Sequence, residues 1–398
     1  MRILYIYLSA NLKGSSVQTK ISNQIKYLNR AGAECKGLFF SSEVNEETKV
    51  DNIVFLPVAS GNWKWFRHIE YRIKAEKMLN KYLDSNKDNW DLFYIRYPGA
   101  SKRLYKISRK YGDKVISEHQ SKELDEVLSY KEEHKFGLKP SRLLSWLGYF
   151  IIPYFSERLY GRKYARAVKA IVTVTDELAT YQKAKGVANV LVCPNGIETN
   201  RFRLRKSCDY TDTIKILFLK GTASVAKWNG FDRLISSIDK FIDGGSRIEL
   251  FIIGEKFENE LPERSYIKFI NYLDAEALNE YFDNVHLGIS TLQLYVKNLK
   301  EAAVLKSREY FARGLPFIYA YNDKPFDEMD GTFVLKFPND SSLIDFNKVK
   351  NFVLQTSKNK NIPTLMRQFC KAKMDYEKIM SDFYLDLQNI SNLKPANA

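Results

Sequence analysis

"EAAVLKSREYFARGLPFIYAY", residues 301–321, passes from a charged helical pattern into an apolar run through Gly314 and Pro316. A glycine just past the last periodic residue and a proline soon after it predict a helix that stops and a strand that starts at once. Glu301 and Glu309 stand eight positions apart within this stretch. That spacing alone is not specific, because it recurs at Glu118 with Glu126 and at Glu255 with Glu263. Only the pair at 301 and 309 leads through a helix and a Gly-Pro exit into a strand late in the chain.

Working outward from this unit, the chain reads as a repeated strand-helix series. Apolar, β-branched and aromatic runs at Arg2 to Leu8, Leu92 to Tyr97, Lys114 to Ser117, Ala170 to Thr175 and Val190 to Cys193 predict strands. Helical patterns fall near 18–31, 67–84, 101–111, 157–168 and 176–185. After the polar stretch "CPNGIETNRFRLRKSCDYTDT" the series restarts, with strands at Ile214 to Leu219, Ile248 to Ile253, Ile267 to Ile270, His286 to Ser290 and Phe317 to Tyr321. Helical patterns near 230–242, 275–283 and 304–313 lie between them. Near-continuous apolar strands separated by helices imply parallel sheets covered on both faces. The expected fold is α/β, with two tandem Rossmann-like doubly wound domains and a ligand cleft where their strand C-termini face each other. The expected boundaries are a first domain over 1–200, a linker over 201–212, a second domain over 213–375, and a helix over 376–398 returning to the first domain.

Composition sets the class. The 398 residues are 45% hydrophobic, 14% aromatic and 27% charged, which describes a folded chain and excludes a largely disordered one. Four scattered cysteines, Cys35, Cys193, Cys208 and Cys370, form no C-x-x-C pair and fit neither a disulfide framework nor a zinc site, so a reducing cytoplasm is expected. The opening "MRILYIYLSANLKG" is interrupted by Ser9, Asn11 and Lys13 and reads as a strand, not a signal h-region. The longest uncharged run, "LLSWLGYFIIPYFS" at Leu143 to Ser156, has 14 residues and a proline, too short to span a bilayer. A formal charge of +15 calls for an anionic partner. No nucleic-acid-binding motif accompanies it, so no nucleic acid partner is expected.

In a doubly wound sheet the loop carrying Glu301 and the start of the next helix lie at the strand C-termini. Free N–H groups and the helix dipole there favour phosphate. Glu309, two turns in, has the reach to bond ribose hydroxyls. Gly14 and Ser15 follow the first strand and precede a helix, a place for a phosphate or acceptor to approach backbone N–H groups, although an ordinary turn explains them equally. His119 ends the strand "VISEH" with Glu118. His68, His134 and His286 have no such context. Asn195 and Gly196 stand at the expected domain junction, where a glycine offers positive φ and room for a ligand.

The chain resembles the retaining glycosyltransferases of family 4, of the two-domain GT-B fold, over nearly its whole length. The carriers are "EAAVLKSREYFARGLPFI", "AIVTVTDELATY", "VCPNGIETNRF" and "AKWNGFDRLISSI", in that family's order. The resemblance implies that Glu301 lies beside a donor sugar, that backbone N–H groups of Ala303, Val304 and Leu305 meet sugar and diphosphate, that Glu309 binds the ribose, and that His119 touches the sugar. It also implies an Arg and, five residues later, a Lys before the second domain's first helix; here those positions are Ser224 and Asn229. Lys306 and Lys227 are the expected substitutes, with Lys306 on the Glu309 side of its helix and Arg308 elsewhere. No D-x-D triplet occurs, so no metal or other cofactor is expected. The nucleotide-diphosphate sugar is a substrate.

As an activity, the resemblance implies a hexosyltransferase-type enzyme that moves sugar to a glycan or polyprenyl-linked acceptor in bacterial cell-surface polysaccharide synthesis. The segment "KPSRLLSWLGYFIIPYFSERLYGRKYARAVK" mixes aromatics, leucines and seven basic residues. It suits either an interfacial helix on an anionic membrane surface or a buried helix of the first domain. A cytoplasmic protein, peripheral on the inner face of the membrane, is expected. The alternatives are a GT-B-fold nucleotide-sugar epimerase and a non-catalytic basic α/β binding protein.

Overall fold

The structure, a computed structural model, describes residues 1–10, 16–59, 61, 66–133, 139–221, 227–255 and 263–392. Gly14, Ser15 and Ser224 lie outside the described residues. The chain divides into two units, one of residues 1–194 with 379–398 and one of residues 195–378.

Unit 1 carries an eight-stranded sheet in the order β3-β4-β2-β1-β5-β6-β7-β8. Its strands are β1 (Arg2–Ala10), β2 (Glu34–Ser41), β3 (Thr48–Val50), β4 (Ile53–Pro57), β5 (Leu92–Arg96), β6 (Val115–His119), β7 (Ala170–Thr173) and β8 (Val190–Val192). All pair in parallel except β3 with β4. β1 is central and its Ile3, Leu4, Tyr5 and Ile6 are buried, which is why it shows no alternation of apolar and polar residues. Helices α1 (Ser16–Arg30), α2 (Arg67–Asn86), α3 (Lys102–Tyr111) and α4 (Glu123–Glu133) come from the connections. α5 (Pro140–Trp146), α6 (Ile152–Ser156) and α7 (Arg162–Ala167) come next, joined by π turns at Leu147–Ile151 and Glu157–Gly161, and then α8 (Asp176–Ala184). The helix thus runs far upstream of the pattern seen near 157–168.

Unit 2 holds a six-stranded, all-parallel sheet in the order β11-β10-β9-β12-β13-β14. The strands are β9 (Thr213–Gly221), β10 (Arg247–Gly254), β11 (Ile267–Ile270), β12 (Leu287–Ile289), β13 (Phe317–Tyr319) and β14 (Val334–Lys336). Its helices are α9 (Phe231–Ile242), α10 (Ala275–Asn284), α11 (Leu305–Arg313), α12 (Phe346–Lys358) and α13 (Ile362–Lys373), with α14 (Tyr376–Asn392) starting in unit 2 and ending in unit 1. The strand order reverses between β9 and β12. Ligands of doubly wound sheets bind outside the strand C-termini at such a reversal.

The opening stretch folds as its residues dictate. Gly314 takes φ 78°, its N–H bonds Phe311 O at 3.1 Å, and Leu315 N–H bonds Tyr310 O at 2.8 Å, a left-handed C-terminal cap that glycine alone adopts without strain. Pro316 then prevents the helix from continuing, and β13 begins one residue later.

The polar stretch 201–212 is bound to unit 2. Arg203 pairs with Asp283 at 2.6 Å, Arg205 donates to Val285 O at 2.7 Å, and Lys206 N–H bonds Asp283 at 2.7 Å. Unit 2 starts at Asn195, ahead of the boundary read from the sequence. Gly196 corrects one expectation: it is not among the positive-φ glycines, and a Cβ there would meet the Tyr376 ring at 2.8 Å. The space it leaves is filled by an aromatic ring of the same unit.

Candidate active site

The unit 2 site is built around the first turn of α11, above the reversal of strand order. Backbone bonds from Ala302 N–H to Asn322 O at 3.1 Å and from Asn322 N–H to Lys300 O at 2.7 Å pin the half-buried Glu301 beside the chain leaving β13. Val304 occupies the N-cap position and has no side chain with which to cap the helix. The first N–H groups of α11 therefore have no side-chain acceptor from their own cap, and the dipole of the helix adds to their preference for an anion. Ser290, Ser307 and Tyr321 close a triangle of hydroxyl hydrogen bonds of 2.6 to 3.0 Å that ties α11 to the strand ends.

Lys306 is the cation of this turn. Its Nζ donates to Asn229 Oδ1 at 3.1 Å and lies 4.5 Å from the centre of the Phe218 ring. No carboxylate pairs with it among the described residues. Burial pushes its ammonium down from 10.5 to about 7, because nothing nearby offsets the loss of water. Phe218 belongs to β9 and Asn229 lies beyond it in the chain, so a residue of α11 reaches across the reversal. Lys227 sits in the 3-10 turn Lys227–Asn229 and is exposed.

Arg308 has a different task. It is fully buried, grips Asp323 through two bonds of 2.6 and 2.9 Å, and donates to Asn195 O at 3.1 Å. Burial pushes the Asp323 carboxyl up, against the pull of Arg308. Asn195 is 9% exposed. Its amide donates to Ala303 O at 2.6 Å, while its Oδ1 is buried with no hydrogen-bond partner among the described residues. Buried acceptors in folded chains are usually satisfied, and this one lies beside the backbone at Ala303. Glu309 accepts from Arg313 Nε at 2.8 Å through Oε1, and its Oε2 bonds no described residue. Arg313 is held in turn by Asn279 at 2.6 Å.

The sequence did not single out Arg308 and Asp323 as a pair. A basic residue three positions before Phe311, on a helix face that turns out to be buried, is the signal for an internal ion pair; its partner on the far side of β13 leaves no spacing to read.

Unit 1 ends β6 in two buried polar networks. Glu118 accepts from Lys20 at 2.5 Å, from Arg96 at 3.3 Å and from Gln120 at 2.6 Å, and Tyr5 donates to it as well. Burial opposes its charge, but Lys20 and then Arg96 hold the carboxyl down to about 2. His119 differs from expectation. It is 2% exposed, stacked on Tyr97 at 4.1 Å, with Nε2 on Ser117 Oγ at 3.0 Å and Nδ1 on Glu123. Glu123 also binds Lys185 at 2.6 Å and Gln182 at 2.5 Å. Both imidazole nitrogens are thus taken by the protein, which leaves neither for a sugar.

Among the described residues no three His, Cys, Asp or Glu side chains group so as to hold a metal ion. No helix of the described residues is long and apolar enough to cross a membrane.

The two α/β units in tandem match the GT-B fold. Solved structures that share it include the lipopolysaccharide outer core galactosyltransferase WaaB in its apo form, with a TM-score of 0.61 and 12% identity over 98% of this chain and 100% of that one. Anabaena Alr3699/HepE in complex with UDP-glucose has a TM-score of 0.59 and 12% identity over 98% of this chain and 100% of that one. A glycosyltransferase from Rickettsia africae ESF-5 has a TM-score of 0.59 and 13% identity over 98% of this chain and 99% of that one. No family model matches the sequence, and no curated protein does.

Proposed function

We propose that this chain is a retaining, metal-independent glycosyltransferase that moves a hexose from a nucleotide-diphosphate donor to a hydroxyl of a glycan or polyprenyl-linked acceptor, in cell-surface polysaccharide synthesis at the cytoplasmic face of the membrane. The observation that carries this reading is Lys306: a cation with no carboxylate partner among the described residues, at an uncapped helix start, above the reversal of strand order.

The diphosphate lies against the N–H groups of Ala303, Val304 and Leu305, with Lys306 meeting its charge and Lys227 a second cation at its edge. Glu309 turns its open Oε2 to the ribose hydroxyls. Asn195 Oδ1 accepts from the donor, and Glu301 accepts from hydroxyls of the sugar. Arg308 and Asp323 touch no substrate; they fix the backbone at Asn195 and the start of α11. His119 is given no substrate contact. In the transfer the bond between the anomeric carbon and the leaving phosphate oxygen breaks while the acceptor oxygen bonds the same face of that carbon. The acceptor proton passes to the leaving phosphate. Fixed cations and N–H groups stabilise that developing charge best when they are in place beforehand.

The test is incubation of the protein with UDP-, GDP-, ADP- and dTDP-sugars and polyprenyl-phosphate-linked acceptors, in EDTA, with NMR reading the anomeric configuration of the product. Transfer with retention supports the proposal. Inversion, dependence on added metal, or sugar turnover without acceptor contradicts it.

A further inference from the structure

Unit 1 contains a cavity of about 360 Å³ bounded by α2, α3 and the helix 140–167, and nothing in the transferase chemistry uses it. One wall is basic, formed by Arg72, Lys102, Arg103 and Lys106. The carboxylate in the lining, Glu76, is already matched: Arg72 Nε reaches it at 3.0 Å, and Ser101 Oγ bonds both its oxygens at 2.9 and 2.8 Å. Lys102, Arg103 and Lys106 pair with no acid among the described residues. The opposite lip is apolar, with Ile73, Ile152 and Pro153.

That lip continues into an exposed stripe. Tyr149, Ile152, Phe155 and Leu159 are 37%, 39%, 52% and 56% exposed and recur at helical spacing along the π-broken helix, with Ile73 of α2 beside them at 41%. Arg162 and Arg166 stand on the next turns, both anchored on Lys185 O. The ten helical steps from Tyr149 to Leu159 give the stripe a length of about 15 Å. Large apolar side chains in open water beside cations with no acidic partner among the described residues match one environment closely, the boundary between phosphate head groups and acyl chains.

We propose that this face docks on an anionic phospholipid leaflet, the cavity taking a lipid phosphate while Tyr149, Ile152, Phe155 and Leu159 enter the acyl boundary. Charge complementarity selects the occupant: a neutral apolar partner leaves Lys102, Arg103 and Lys106 buried without counter-charge, whereas the lipid phosphates supply it. The proposal deepens the membrane-side part of the transferase reading, but its test needs no sugar transfer, so either can fail alone.

The experiment is co-sedimentation of the full chain with vesicles of phosphatidylcholine, alone or mixed with phosphatidylglycerol, at low and high salt. Binding is expected to the mixed vesicles and to weaken with salt. Lys102→Glu with Lys106→Glu, and separately Phe155→Ser with Leu159→Ser, are each expected to lower partitioning tenfold or more, since each basic residue near such a surface contributes about fivefold. All four side chains are exposed, so the melting temperature should hold in both variants and exclude misfolding as the cause. Equal binding to neutral vesicles, no binding to either, or loss in neither variant overturns the proposal. Millimolar inorganic phosphate added to the mixed vesicles is expected to leave binding in place. If phosphate releases the protein, and stabilises it in free solution unless Lys102 and Lys106 are reversed, the site is one for a soluble phosphate and the lipid assignment falls.

Discussion

Replacing Lys306 by methionine should make the ligand-free protein more stable at pH 6 while removing its grip on a diphosphate. An ammonium whose pKa falls from 10.5 to about 7 on folding is charged in both states below pH 7, and the folded state then carries its full desolvation penalty. That penalty is at most about 5 kcal/mol at 1.36 kcal/mol per pH unit. The bond to Asn229 and the contact with Phe218 are lost with the lysine and return about 1 kcal/mol each. Relaxation around the lysine reduces the gain further, leaving roughly 1–3 kcal/mol at pH 6, or about 2–10 °C in melting midpoint for a domain of this size. Between pH 7 and 10.5 the unfolded state holds a proton that the folded state has released, so wild-type stability rises with pH and the advantage of the variant shrinks. Near pH 10 less than about 1 kcal/mol of the penalty remains, the neutral amine keeps only its bond to Asn229, and the two proteins are nearly equal in stability. Thermal melts of both proteins at pH 6 and pH 10, without nucleotide, read this loss of the variant's advantage. A variant that melts lower at pH 6, or by the same margin at both pH values, refutes the assignment of a desolvated cation with no counter-charge.

The same geometry carries three further predictions. Glu309→Gln keeps an acceptor for Arg313 and should leave the apo melting temperature within about 2 °C, while weakening nucleotide affinity about tenfold or more, read by calorimetry. Arg308→Met strands Asp323 in the interior and should cost about 3–5 kcal/mol in denaturant unfolding, with Arg308→Met/Asp323→Leu recovering part of it. Glu118, held at about 2 in the fold against 4.5, contributes stability that is complete above pH 4.5 and is lost as pH falls to 2. This is worth up to roughly 3 kcal/mol, part of which the burial of Lys20 offsets. Acid unfolding monitored by circular dichroism should therefore flatten between pH 4.5 and 2 in Glu118→Gln, which starts less stable at pH 7 by about 3–5 kcal/mol.

The parallel-sheet architecture was legible because central strands buried on both faces appear as apolar runs, as at Ile3 to Ile6 of β1. The strands β2, β3, β4 and β14 were not read: β3 and β14 have three residues and carry no periodicity, β4 is a short run closed by Pro57, and Lys36 and Gly37 interrupt the apolar pattern of β2. At the site, the place of Glu301, Glu309 and α11 was readable from the Gly-Pro exit. The destination of Lys306, at Asn229 and Phe218, was not, because it depends on strand order. His119 shows the converse limit: a histidine at a strand C-terminus marks the right end of the sheet, and Ser117 two residues back shares its face, but the contact with Glu123, which lies beyond the strand in α4, has no signal in the strand pattern.

The central claim is that the first turn of α11, with Lys306 and Glu309, holds a nucleoside diphosphate. Calorimetric titration of the wild type, Lys306→Met and Glu309→Gln with UDP, GDP, ADP and dTDP at pH 6.5 tests it most directly. The account predicts that one nucleotide binds the wild type and that both substitutions weaken it at least tenfold. Binding of none of them, or undiminished binding in Lys306→Met, would contradict it.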